Sequence, residues 1–107
     1  MSRLDQLLTY YEEDPNDSFI QFALAAEYRK LGRLQDAVDT FERLKAQDAL
    51  YVGLYYHLGK LNEEMNHVER AIQIYREGIV VANGVSDLHA RAELQSALLE
   101  AEMSEDL

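Results

Sequence analysis

Displaced along itself by 34 residues, this sequence falls back onto its own pattern, and a chain with that property folds as stacked copies of one small unit. Leu24 falls on Leu58, Ala37 on Ala71, Val38 on Ile72 and Phe41 on Tyr75. The same step pairs Phe22 with Tyr56, Leu34 with Val68, Leu31 with Met65 and Gly32 with Asn66, all exchanges of like size or like backbone tolerance. Displaced the other way, Leu4 lies under Val38, Leu7 under Phe41 and Tyr10 under Leu44, so the first segment corresponds to the second half of a unit.

The repeated unit reads as helical. Turn residues are scarce, with one proline and five glycines in 107 residues, and they cluster at Asp14–Asp17, Gly32-Arg33, Asn66-His67 and Asn83–Ser86. Between these clusters the β-branched residues never alternate with polar ones, whereas apolar residues recur three and four apart, as on one face of a helix. Leu4, Leu7, Leu8 and Tyr11 make the first stripe, and Ile20, Leu24, Tyr28 and Leu31 the second. Leu34, Val38, Phe41 and Leu44 make the third, Leu54, Leu58, Leu61 and Met65 the fourth, and Val68, Ile72, Tyr75 and Ile79 the fifth. The sixth runs through Leu88, Ala92, Leu94, Leu98 and Ala101. Ser2 with Asp5, and Ser18 with Gln21, have the spacing by which two side chains satisfy the orphan amides of a helix start. Gly32 and Gly84 stand where a helix end favours a left-handed residue, and Pro15 cannot continue the helix before it. These signals predict an all-α chain of six helices, at about 2–13, 18–31, 34–47, 51–65, 68–81 and 86–103.

Period and occupants together resemble the tetratricopeptide repeat. Leu24, Ala25, Tyr28, Gly32, Ala37, Phe41 and Leu44 occupy the characteristic places in residues 18–51, and Tyr55, Leu58, Gly59, Met65, Ala71 and Tyr75 in residues 52–85. Asn62 stands where a tyrosine is usual, Gly78 where alanine or a similar small residue is usual, and Ala49 and Asn83 where the turn proline would be. The resemblance implies an α-α superhelix, a short stack of antiparallel helix pairs forming one domain over 1–107. It comprises a half unit at 2–17, repeats at 18–51 and 52–85, and a capping helix at 86–103 whose Glu93, Glu100, Glu102 and Glu105 give it a solvated face. Ala25 or Gly59 would let the first helix of a pair approach the second, with Ala37 or Ala71 receiving it. A strict period sets Ala92 in the place of Leu58; a shift of two sets Leu94 there.

Composition removes several functions. Twenty acidic against ten basic residues give a net charge of -10, which repels nucleic acid phosphate and anionic lipid. With no cysteine there are no disulfides, no thiolate metal sites and no cysteine nucleophile. No apolar run approaches the ~20 residues of a membrane span, and the opening MSRLDQLLTYYEED turns acidic where a signal peptide needs apolar residues, so a cytoplasmic setting is expected. Nucleophile-elbow, phosphate-loop and zinc signatures are missing, and His57, His67 and His89 lack the spacing of helical metal ligands. The expectation is a non-enzyme without cofactor or metal.

In the family that the sequence resembles, the first helices of successive units line a groove for an extended or helical peptide. The matching positions here are Phe19, Phe22, Ala23, Ala26 and Arg29, then Gly53, Tyr56, His57, Lys60 and Glu63; Asp87, Ala90, Arg91 and Leu94 continue the series if the last helix joins the stack. This stripe gathers aromatic rings together with Arg29, His57, Lys60 and Arg91. Two readings stand side by side. In one, Phe22 and Tyr56 anchor a partner segment whose carboxylates meet Lys60 or Arg91; in the other, those rings pack on neighbouring helices and the bases pair with acids such as Glu27 and Glu63. Phe22, Ala26 and His57 occupy the slots at which some family members clamp a chaperone's C-terminal carboxylate, so such a tail is not the expected ligand. A second interaction mode is a homodimer through an exposed ring at Tyr10 or Tyr11. The acidity itself suits either an ordinary acidic repeat protein or one stabilised by high salt.

Overall fold

The computed structural model describes residues 1–105, and its regular structure is helical: α1 (Arg3–Glu13), α2 (Ser18–Lys30), α3 (Leu34–Gln47), α4 (Gly53–Glu64), α5 (Val68–Gly84) and α6 (Leu88–Glu105). No strand occurs among the described residues, and none of their helices is long and apolar enough to cross a membrane. Packing divides the chain into two compact units, Met1–Tyr51 and Val52–Leu107. In the first, α2 packs on both α1 and α3; in the second, α4, α5 and α6 pack on one another.

Local chemistry sets the helix ends. The Ser2 hydroxyl accepts from the Asp5 amide at 3.1 Å while the Asp5 carboxylate accepts from the Ser2 amide at 3.3 Å, a reciprocal cap. At α2 the cap is Asp17 rather than Ser18, for the Asp17 carboxylate accepts from the Ile20 amide at 3.1 Å. Ser18 is thereby released to donate its hydroxyl to Asp48 at 2.7 Å, and the buried Gln21 side chain donates to the Pro15 carbonyl and to Gln47, both at 2.6 Å. Three helices close with the same turn: the amides of Arg33, His67 and Asp87 reach back to the carbonyls of Tyr28, Asn62 and Ala82. The left-handed residue of each turn is Gly32 (φ 77°), Asn66 (φ 63°) and Ser86 (φ 58°). Gly84, expected to take that conformation, lies inside α5, which runs three residues past the expected end at 81 because Ala82 is fully buried and continues the packed face.

In the first unit Leu7, Leu24, Ala25, Ala37, Phe41 and Leu44 are buried. Tyr28 is only half-buried, with the Arg33 guanidinium 4.7 Å from its ring centre, and Leu31, expected on the apolar stripe, is exposed. Tyr10 is 51% exposed, whereas Tyr11 is half-buried with the Arg43 guanidinium 5.8 Å from its ring centre.

The second unit shows why glycine occupies two helical positions. A Cβ on Gly59 of α4 would lie 2.6 Å from Cζ of Tyr75 on α5, and a Cβ on Gly78 of α5 would lie 2.6 Å from Cβ of Tyr55 on α4. Each helix thus seats a tyrosine of the other against bare backbone, and both rings are essentially inaccessible. Gly78 also leaves room for Leu94 of α6, whose Cδ1 would stand 3.0 Å from an added Cβ. This third occupant accounts for glycine at a place where alanine would suffice for a simple helix pair. Burial of Leu94, Ala97 and Ala101, with Ala92 exposed, settles the register of α6: Leu94 takes the place of Leu58, two residues beyond the strict period. The longer α5 makes that shift necessary.

Candidate peptide-binding clefts

Each unit carries a shallow cleft along one of the helices expected to line a groove. In residues 1–51 a cleft of about 370 Å³ is lined by Phe19, Phe22, Ala23 and Ala26 of α2, with Arg3, Glu27 and Lys30 at its edges. Phe19 is 67% exposed, so its ring is presented to solvent at the cleft. Phe22 is half-buried: its ring meets Phe41 edge-on with centroids 5.7 Å apart and lies 5.5 Å from Tyr51. Burial, with the negative charges of Asp48 and Asp17, holds the Tyr51 phenol above its ordinary pKa, so this aromatic cluster is neutral. At the rim Arg3 Nε lies 3.5 Å from the Glu27 carboxylate. Arg3 and Lys30 against Glu27 leave the edge cationic.

In the second unit a cleft of about 400 Å³ separates α4 from α6. Tyr56 and Lys60 form one wall; Ala92, Ser96 and Ala97 form the other, with His89, Glu93 and Glu100 around the mouth. Lys60 Nζ stands 3.7 Å from Glu63, 3.9 Å from Glu100 and 5.6 Å from the Tyr56 ring centre, so carboxylates of the chain itself already surround it. Glu63 also accepts a hydrogen bond from the Tyr75 hydroxyl, and burial together with that bond raises the Tyr75 phenol far above its ordinary range.

Of the positions expected to form one stripe, Phe19, Phe22, Ala23 and Ala26 line the first cleft and Tyr56 and Lys60 the second. Arg29, Gly53, His57, Glu63 and Arg91 line neither: Arg29 is half-buried on α2, Gly53 is the exposed first residue of α4, and His57 packs edge-on to Tyr56 with centroids 5.6 Å apart. Arg91 donates to the Asn83 side chain of α5 at 3.2 Å. Leu94, expected on the stripe, is in the core. The α6 residues that do line the cleft were missed because the strict period was carried into α6. Moved by two residues, the places of Gly53, Tyr56, His57 and Lys60 become His89, Ala92, Glu93 and Ser96. Arg3, Glu27 and Lys30 had no sequence signal beyond their charge.

Short-turned helix pairs with small residues at the crossings define a helical repeat protein, and comparison with known proteins gives the family. Residues 52–80 match the tetratricopeptide repeat model. The solution NMR structure of a tetratricopeptide repeat domain protein from Salinibacter ruber is 43% identical, with a TM-score of 0.83 over 87% of this chain and 94% of that one. The Yersinia enterocolitica type III secretion translocator chaperone SycD, 12% identical, shares the fold with a TM-score of 0.88 over 97% of this chain and 72% of that one. PcrH, solved in complex with the chaperone binding region of PopD, is 13% identical with a TM-score of 0.88, covering 95% of this chain and 77% of that one. No curated protein matched. The chain belongs to the tetratricopeptide repeat family.

Proposed function

We propose that this chain is a non-catalytic interaction module whose α2 face receives a partner segment carrying apolar and acidic residues. The observation that carries this reading is the exposed Phe19 ring over the α1–α2 cleft, flanked by Arg3 and Lys30 on a chain whose net charge is -10. An apolar side chain of the partner would cover Phe19 and Ala23, and a carboxylate would meet Lys30, whose charge is otherwise solvated. The α4–α6 cleft suits this partner less well, because Glu63 and Glu100 already flank Lys60. PcrH supports the reading by example, as a protein of the same fold solved with a partner segment. A cleft this small fits micromolar affinity, about -8 kcal/mol.

Affinity purification from the native cell, followed by peptide mapping, supplies the partner segment for the test. The double variant Phe19→Ala/Lys30→Glu should retain at least tenfold less of that segment while keeping its helical circular dichroism. Tyr56→Ala/Lys60→Glu should retain it nearly as well as the parent chain. Equal retention by the first variant would refute the α2 assignment.

A further inference from the structure

The last helix has two apolar faces. Leu94, Ala97 and Ala101 are buried, while on the opposite side Leu88, Leu99 and Met103 are 65%, 59% and 61% exposed, with Ala92 also exposed between them. At about 100° per residue these four exposed residues form one stripe along α6. Of the glutamates expected to give this helix a solvated face, Glu93, Glu100 and Glu102 lie on the flanks of the stripe instead. The stripe is symmetric about the midpoint between Gln95 and Ser96: Leu88 lies as far before it as Met103 lies after, and Ala92 as far before as Leu99 after.

We propose that this stripe is the contact with a second copy of the chain, the two α6 helices lying antiparallel about a twofold axis beside Gln95 and Ser96. In that arrangement Leu88 covers Met103 of the second copy, the small Ala92 receives Leu99, and the polar pair falls at the centre. The symmetry of the stripe favours a second copy of the chain, and the charges of one flank favour this direction. Arg91 and Glu102 share one flank of the stripe, the base toward the start of the helix and the acid toward its end, while His89, Glu93 and Glu100 lie on the other. Antiparallel pairing sets Arg91 of each copy beside Glu102 of the other; parallel pairing would set Glu102 beside Glu100.

Analytical ultracentrifugation from micromolar to millimolar chain tests the proposal. The parent protein should pass from one chain to two, and Leu99→Glu, at an exposed position, should remain a single chain throughout with unchanged helical signal. Because the natural chain has no cysteine, single-cysteine variants report the register. With a short bismaleimide, Gln95→Cys should link to itself, whereas Leu88→Cys should link to Met103→Cys in a mixture but not to itself. A parent chain that stays single at every concentration, a Leu99→Glu variant that still pairs, or self-linking of Leu88→Cys would each overturn the proposal.

Discussion

Replacing Gly59 by alanine probes the closest approach in the second unit. The new methyl would overlap the Tyr75 ring, with Cζ and Cδ1 at 2.6 and 2.7 Å from it. That ring cannot swing aside freely: it is fully buried, and its hydroxyl is held by Glu63. Overpacking of this kind costs about 1–3 kcal/mol, and displacing the ring also loosens a hydrogen bond to a carboxylate worth about 1.5–3 kcal/mol. Against these, alanine is better than glycine inside a helix by about 1 kcal/mol. The net expectation is a loss of about 2 kcal/mol, which lowers a urea midpoint by about 1 M at the slope usual for small proteins. Gly84→Ala is the internal control, because Gly84 is also helical and nothing lies within 4 Å of its added Cβ. The same chemical change should there raise the stability, by up to about 1 kcal/mol, and the midpoint with it. Far-UV circular dichroism against urea measures both variants. A midpoint for Gly59→Ala at or above that of the parent chain would refute the packing argument.

Three further outcomes are expected. Asp17→Ala removes the side-chain cap of α2 and should cost about 1 kcal/mol in a urea melt. The folded Tyr75 phenol keeps its proton to higher pH than the unfolded one, so its contribution to stability is whole below about pH 10 and is lost as pH rises beyond it. Urea melts at about pH 8 and pH 11 should therefore show a shallower alkaline decline for Tyr75→Phe than for the parent, with a residual decline from Tyr51, whose phenol is also raised. With a net charge of -10, the thermal midpoint should climb as KCl is added, and a flat or falling midpoint into molar salt would oppose that expectation.

The helices and their pairing were legible because the period and the small-residue slots repeat the same physical demand: Ala37 and Ala71, one period apart, are both fully buried. What escaped the sequence depends on competition between neighbours. Asp17 and Ser18 are both good caps, and only the placement of Asp48, which engages the Ser18 hydroxyl, decides between them. Glycine is the usual left-handed residue, yet burial of Ala82 carried α5 as far as Gly84 and left Ser86 to adopt φ 58°, a conformation unfavourable for a side chain with a Cβ. The expected groove residues were sound as a series along α2, where Phe19, Phe22, Ala23 and Ala26 meet, but the series lost step in α6. Pairings such as Lys60 with Glu100 join residues distant in sequence, and no local pattern announces them.

The added length of α5 bears on how such arrays grow. In a strictly regular solenoid each module templates the next, because every new helix inherits the orientation of its counterpart. Here the two-residue slip turns α6 by about 200° from that inheritance, and the side a regular module would bury, that of Ala92 and Gln95, is the one turned to solvent. Punctuation of this kind needs no proline and no change of fold: a few extra residues in one helix are enough to change which surface the next one offers.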